Sequence, residues 1–168
     1  NSPIMAELSR RHFDHQKYQM HVCEYLTMMY LRNLSGKLVG YLQYNMLGSK
    51  ELNNRPEGRY FTCLHNQLGV WGMETFYYRD DVLFVTEGVF DACRLHNLGL
   101  PAVAVLGNHP KPLLSWLYVL PRKVVVVADD DKAGTNLHKF GTDVLVATNH
   151  DLGDMTDAEV RRLLTNYL

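Results

Sequence analysis

The chain has 168 residues, 46% of them hydrophobic, and a formal net charge of −1. This composition is typical of a globular domain, which excludes a disordered chain, and no apolar run is long enough to span a membrane. The near-neutral charge excludes a global attraction to nucleic acid, and the three widely spaced cysteines exclude a zinc ribbon and suit a reducing cytosol.

The first part of the chain, residues 1–80, is predicted to form a small mixed α+β subdomain. The apolar segments 24–32 and 38–47 are separated by a Ser-Gly turn, which predicts a hairpin. The segment 59–64 predicts a third strand. A helix over residues 5–20 is expected to pack on these strands.

The second part, residues 81–168, alternates apolar runs of strand length with helical segments. The predicted strands are 82–88, 102–107, 123–131 and 143–148, and the predicted helices are 90–99, 111–120, 133–141 and 155–168. Thr156 followed by Glu159 is the signal of a capping box at the start of the last helix. The alternation predicts an α/β domain with a parallel four-stranded sheet covered by helices on both faces.

Carboxylates follow two of these predicted strands at their carboxyl ends, where open α/β sheets bind ligands. Glu87 closes the first run, and Asp129, Asp130 and Asp131 close the third. Like charges held close together are costly, and a divalent cation such as Mg²⁺ removes that cost. In an extended segment Asp129 and Asp131 point to the same side, which makes them the predicted metal pair. A second reading stays open, in which Asp131 caps the helix that follows.

Three motifs at these strand ends resemble the TOPRIM domain in the form found in bacterial and phage DNA primases. They are "EGVFDA" (87–92), "AVLGN" (104–108) and "DDDKAG" (129–134). The TOPRIM signature is a glutamate after a first strand and an Asp-x-Asp after a later one. The resemblance implies a TOPRIM-type sheet and Mg²⁺ or Mn²⁺ as cofactor, and its implied catalytic and metal-binding residues are Glu87, Asp129 and Asp131. Its implied supporting acidic cluster is Asp91, Asp151 and Asp154.

The upstream segments resemble the part of bacterial primase catalytic cores that precedes TOPRIM. These segments are "LRNLSGKLVGYLQY" (31–44), "RYFTC" (59–63) and "VWGM" (70–73), in the same order as in the family. The resemblance places a basic residue at Arg59, and Lys37 and Lys132 are further candidates for binding nucleic acid or nucleotide. Each of the three, taken singly, also reads as an ordinary solvated surface charge.

The function implied by the resemblance is primase-type nucleotidyl transfer, the synthesis of short primers from nucleoside triphosphates on a single-stranded DNA template. Two alternatives stay open, a TOPRIM nuclease that uses water as nucleophile and a non-catalytic nucleic-acid-binding module. The retained carboxylates favour catalysis, and the upstream hairpin favours synthesis over cleavage.

Other features of primases bear on partners and location. The chain has neither the cysteine set of the primase zinc ribbon nor a Walker loop. We therefore expect a catalytic-core fragment or a small stand-alone phage protein, in the cytoplasm or in the host cytoplasm. Its further partners would be a replicative helicase or a separate zinc-binding subunit. His109 lies at a predicted strand end, and an approach to the site is the less favoured of its two readings.

Overall fold

The computed structural model describes residues 2–65, 68–107, 111–148 and 150–168. The chain divides into two compact units, Asn1–Trp71 and Gly72–Leu168. This division lies before the predicted boundary at residue 80, because the segment after Trp71 is bonded into the second unit. The Thr75 hydroxyl accepts a hydrogen bond from the Ala102 amide at 3.1 Å.

The first unit is built on a four-stranded antiparallel sheet in the order β1-β2-β3-β4. Its elements are helix α1 (Pro3–Arg10) and strands β1 (Met20–Val22), β2 (Leu26–Arg32), β3 (Leu38–Asn45) and β4 (Tyr60–Leu64). The predicted hairpin and third strand are confirmed. The β2–β3 turn uses Gly36 at φ +85°, a left-handed conformation that glycine adopts without strain.

The predicted helix over residues 5–20 is wrong beyond Arg10. His12 has φ +59°, which breaks the helical path, and the chain turns so that the Phe13 ring enters the core. The Phe13 and Trp71 ring centroids lie 5.7 Å apart, and Trp71 is 1% exposed. Burying this aromatic pair stabilises the turn more than two further helical turns would. Trp71 is thus a core residue.

The second unit confirms the predicted α/β architecture. Its elements are β5 (Val82–Thr86), α2 (Val89–His96), β6 (Ala102–Ala104), α3 (Lys111–Val119), β7 (Lys123–Asp129), α4 (Lys132–Thr135), β8 (Asp143–Ala147) and α5 (Asp157–Leu163). The four strands are parallel in the order β6-β5-β7-β8. In the ranges described, no helix has the length and apolar character needed to cross a membrane.

The strand order of the second unit decides where a ligand site can form. The chain moves from β5 outward to β6, then crosses back to β7 and on to β8. Because such crossovers are right-handed, α2 lies on one face of the sheet and α3 and α4 on the other. The chain leaves β5 and β7 in opposite directions, which makes their carboxyl ends the switch point of this sheet, where open α/β sheets bind ligands.

The last helix begins at its predicted cap, whereas helices end earlier than predicted, α2 at His96 and α5 at Leu163. Thr156 and Glu159 form the predicted capping box, each side chain accepting a hydrogen bond from the other residue's backbone amide, at 3.2 and 3.1 Å. The predicted helix 133–141 is reduced to the four residues of α4 and a separate 3₁₀-helix, His138–Phe140. The chain turns back early because Phe140 is buried and 3% exposed, so that this end of the segment is drawn into the core.

Candidate active site

The switch point of the sheet carries two of the predicted catalytic carboxylates. Glu87 follows β5 directly, and Asp129 is the last residue of β7. The two strands pair in register with Val85 opposite Val126, so both carboxylates extend beyond the same edge of the sheet. Both residues are half-buried. The sequence order of strands and acids therefore places both carboxylates at one edge of the sheet, although Glu87 is not among the acids that act on the Asp129 pKa.

Asp129 lies in a crowded and partly dehydrated acidic environment. The pKa of its carboxyl is raised from 3.8 to about 7, and burial is the largest cause. Nearby negative charges raise this pKa in the same direction, in decreasing order those of Asp91, Asp151 and Asp131. Asp129 also shares a hydrogen bond with the Asp151 side chain, which favours its protonated form.

Two members of the predicted supporting cluster are thus neighbours of Asp129. Asp91 belongs to the first turn of α2, and Asp151 precedes the 3₁₀-helix Leu152–Asp154 that follows β8. The Asp91 Oδ1 atom accepts a hydrogen bond from the Gly153 amide at 2.9 Å, which ties the two segments together. The third member, Asp154, is exposed at the end of the 3₁₀-helix and is not among the groups that act on the Asp129 pKa.

The strand-alternation argument for Asp131 is wrong, because β7 ends at Asp129 and the chain bends through Asp130 and Asp131. The Asp131 carboxylate accepts a hydrogen bond from the Gly134 amide, and its carbonyl accepts one from the Thr135 amide at 3.2 Å. Asp131 therefore caps α4, as the alternative reading expected. Its charge still acts on Asp129.

Glu87 is framed by the loop that follows β6. The Leu106 amide donates a hydrogen bond to the Glu87 carbonyl at 2.8 Å. Gly107 has φ +73°, and a Cβ added there would lie 3.2 Å from the Glu87 Oε1 atom. A glycine at this position therefore satisfies both the left-handed backbone and the close approach of the carboxylate. His109 lies outside the described residues.

The carboxylate oxygens at this edge are ligands of the kind that a divalent cation prefers. Their positions in the described part of the chain, however, do not bring enough of them together to coordinate one. Crowded carboxylates that raise one another's pKa are stabilised by a hard cation with oxygen ligands. Among the described residues, however, no three His, Cys, Asp or Glu side chains are grouped closely enough to hold a metal ion. Cation binding would require the carboxylates to draw together.

The predicted basic residues differ in their surroundings. Arg59 is half-buried, and its Nε atom donates a hydrogen bond to the Gly48 carbonyl at 3.2 Å, so this side chain also braces a loop of the first unit. Lys37 is exposed in the β2–β3 turn, and Lys132 is exposed at the first residue of α4. Their roles in binding nucleic acid stay predictions.

Arg94 is a residue of this region that the sequence analysis missed. It belongs to α2, is 2% exposed, and its guanidinium donates hydrogen bonds to the carbonyls of Leu152, Gly153 and Met155. In the sequence, Asp91 and Arg94 stand three apart, which is also the spacing of an ordinary surface ion pair on a helix. That spacing is the signal that the sequence offers, and it indicates an exposed ion pair and not a buried residue that binds a loop.

A groove of about 770 Å³ lies elsewhere in the second unit. Its lining includes Arg122 and Val124 at the amino end of β7 and Thr142 just before β8, together with residues of α3. Parallel sheets of this type bind ligands at the carboxyl ends of their strands. The acidic edge is therefore the stronger candidate site.

The raised pKa of Asp129 predicts a pH-dependent contribution to stability. Between its ordinary value of 3.8 and about 7 the folded protein keeps a proton that the unfolded chain releases. This contribution is complete at acid pH and is lost as the pH rises through 7. Asp129→Asn mimics the neutral form, so above pH 7 it should be more stable than the parent by about 1–2 kcal/mol, allowing for solvent screening. Urea unfolding of both proteins between pH 5 and 8.5 measures this, and a difference independent of pH would contradict it.

Comparison with known proteins bears on the fold. No protein-family model matches the chain, and no curated protein sequence matches it. Solved structures do match, and a structure of the DnaG catalytic core superposes with a TM-score of 0.65 and 16% identity, over 96% of this chain and 72% of that one.

Two further matches are primases solved with DNA. The RNA polymerase domain of Mycobacterium tuberculosis primase DnaG, in complex with a double-stranded DNA oligomer with a 6-nucleotide overhang, has a TM-score of 0.61 and 20% identity, over 96% of this chain and 63% of that one. A DnaG primase catalytic domain bound to single-stranded DNA has a TM-score of 0.59 and 18% identity, over 83% of this chain and 52% of that one. The chain thus spans between about half and three quarters of these neighbours. Together with the site geometry, these matches confirm that the chain has the fold of the catalytic core of DnaG-type DNA primases.

Proposed function

We propose that the protein is a nucleotidyltransferase that synthesises short primers on a single-stranded DNA template during DNA replication. The observation that carries the proposal is the convergence of carboxylates on the switch point of a primase-type fold. One primase of the same fold was solved bound to single-stranded DNA. The substrates would be the template and nucleoside triphosphates.

The acidic edge supplies the groups that such a reaction needs. Glu87 and Asp129, together with Asp131, would hold Mg²⁺ or Mn²⁺, and Asp91 and Asp151 would support them. When bound, these cations would neutralise the charge that develops on the transferring phosphoryl group. The protein's own contribution would be a partly dehydrated cluster of negative charge at this sheet edge, which would attract the divalent cations.

The acidic residues at this edge destabilise the fold when they are ionised, and this supports a functional role for them. Burial and neighbouring carboxylates both raise the pKa of Asp129, so the ionised site destabilises the fold. A protein under no functional constraint would gain stability by replacing one of these acids, and strongly perturbed carboxyls are typical of functional sites. Retention of the crowded acids is explained if a cation offsets their repulsion.

The basic residues would bind the phosphate groups of the template and the nucleotide. We propose that Arg59 and Lys37 of the first unit contact the template backbone, and that Lys132, beside the acidic residues in sequence, contacts the nucleotide. Protein of this function would work in the cytoplasm, or in the host cytoplasm if a phage encodes it. A replicative helicase or a zinc-binding subunit would be its further partners.

The direct test is incubation with single-stranded DNA template, nucleoside triphosphates and Mg²⁺ or Mn²⁺. New oligonucleotides made by the parent and lost in Asp129→Asn would support the proposal. Asp80→Asn is a matched control, because Asp80 is exposed and lies just before β5, at the opposite end of that strand. Shortening of the template without new product would instead indicate the nuclease, and neither change would indicate the binding module.

Template binding should depend on Arg59. Replacing it with alanine should weaken binding to single-stranded DNA and lower the slope of log affinity against log salt by about one phosphate contact. Fluorescence anisotropy at several salt concentrations measures both quantities. Arg10→Ala, which removes the same charge from an exposed position of the same unit, should change the slope less. If the two variants behave alike, Arg59 is an ordinary surface charge that braces the Gly48 loop.

A further inference from the structure

Helix α2 binds the loop that carries Asp151 through both the amide and the carbonyl groups of the loop backbone. Asp91 on α2 accepts from the Gly153 amide at 2.9 Å. Arg94, three residues later on the same face of α2, donates to the Gly153 carbonyl at 3.2 Å and to the Met155 carbonyl at 2.6 Å. Two side chains one helical turn apart thus bind the same loop: the acidic one accepts from a loop amide, and the basic one donates to loop carbonyls.

These hydrogen bonds hold the loop 151–155, which repulsion between carboxylates would otherwise displace. The Asp151 carboxyl lies beside Asp129 and shares a hydrogen bond with it, and Asp91 adds a third acid. When these acids are ionised the shared hydrogen bond is lost, and repulsion among them favours a loop that swings away from the sheet edge. The Arg94 guanidinium opposes this with a buried positive charge and with bonds to three carbonyls of residues 152–155.

The salt bridge of Arg94 contributes little to holding the loop in place. Its carboxylate partner, Asp157, lies 3.0 Å away with a side chain that is 81% exposed, and an ion pair so open to water contributes little. The carbonyl bonds are different, because Arg94 is 2% exposed and its removal would take from the buried residues Gly153 and Met155 the hydrogen bonds that it donates to their carbonyls. The function of Arg94 is therefore directed at the loop backbone.

We propose that Arg94 is a positioning residue that fixes the loop 151–155 on α2 and thereby keeps the Asp151 carboxyl beside Asp129. The loop position is a property of the folded chain itself. The consequence for cation binding rests on the proposed function, and the two parts are tested separately.

The first test needs no cation. In Arg94→Lys the charge remains, but one ammonium has only three N–H donors and cannot bind the three carbonyls and Asp157 together, as the Nη1 and Nη2 atoms of the guanidinium do. Hydrogen exchange of the Gly153 amide, followed by NMR, should accelerate by at least about tenfold as the loop opens, while the amides of β7 keep their protection. Arg161→Met and Arg94→Met form a matched pair, since Arg161 is exposed on α5 and its loss should leave Gly153 unchanged. If Arg94→Met fails to fold, the lysine variant decides.

The second test uses Mn²⁺ as the probe, with its dissociation constant measured by electron paramagnetic resonance. Loss of a residue that orients metal ligands typically weakens the metal by about 10- to 100-fold, and we expect Arg94→Met to lie in this range and Arg94→Lys between it and the parent. Unchanged Mn²⁺ affinity in a variant whose loop has opened would overturn a positioning role.

Other outcomes separate this inference from the proposed function. A parent protein that binds no Mn²⁺ would overturn the metal site, and a crystal structure of Arg94→Lys would then still decide the inference. Asp151 displaced from Asp129 in that structure would support it. Asp151 unmoved there, or faster exchange of the β7 amides together with Gly153, would overturn it, since the second result means a general loss of stability.

Discussion

Replacing Asp129 with asparagine should lower the rate of primer synthesis by about 100- to 1,000-fold, the loss found when one preorganised element of transition-state charge stabilisation is removed. Asp129 lies at the centre of the acidic edge, where burial and three further carboxylates act on it. Asparagine keeps the size of the side chain and removes the charge. The measurement is the initial rate of oligonucleotide synthesis, at protein stabilities shown to be matched or higher.

The neighbouring aspartates provide the controls for this prediction. Asp131→Asn keeps an oxygen that can cap α4 and removes the charge, whereas Asp131→Ala removes both and should also cost about 1 kcal/mol of stability. If Asp131 holds a cation as well as capping, the asparagine variant should be nearly as impaired as Asp129→Asn. Asp130→Asn, at an exposed bend position, should synthesise primers at close to the parent rate. Loss of activity in Asp130→Asn equal to that in Asp129→Asn would show that a different pair of acids is used.

Millimolar Mg²⁺ or Mn²⁺ should raise the free energy of unfolding of the parent protein, by about 2.7 kcal/mol at a concentration 100 times the dissociation constant. The physical reason is that the ionised carboxylates repel one another in the folded state and are far apart in the unfolded chain. A cation that draws them together offsets this repulsion. Thermal unfolding followed by circular dichroism at pH 7.5 measures the effect.

Two comparisons isolate specific binding from general screening. Sodium chloride at the same ionic strength screens the carboxylates without bridging them, and it should reproduce only a small part of the shift. Asp129→Asn should lose most of the response to the divalent ions. A melting temperature that follows ionic strength alone, with the parent and the variant responding equally, would contradict the cation site.

Much of the second unit could be predicted because its signals are local. A run of valines such as 124–127 has no polar alternation, so it belongs in a strand buried on both faces, and the structure places these residues in the core. The capping box of Thr156 and Glu159 depends on residues three apart in sequence. The position of Glu87 and Asp129 at one edge follows from strand order alone, since parallel strands end on the same side.

The features that sequence reasoning misplaced are those that long-range packing decides. The helix expected over 5–20 ends at Arg10, because burial of the Phe13 ring against Trp71 outweighs local helix propensity. Whether Asp131 lies on the same side as Asp129 or caps the next helix depended on where β7 ends, and the bend at Asp130 makes Asp131 a cap of α4. Local patterns allowed both outcomes in each case.

The sequence by itself determined the order of strands and helices in the second unit, the hairpin of the first unit, the last helix cap and the placement of acids after β5 and β7. Only the tertiary structure decided which acids meet and what holds them there. Asp151 acts on Asp129 from the segment that follows β8, and the four partners of Arg94 lie 58 to 63 residues further along the chain. No periodicity within one element encodes such contacts, because they arise from the free energy of packing separate elements together, and that depends on the whole fold.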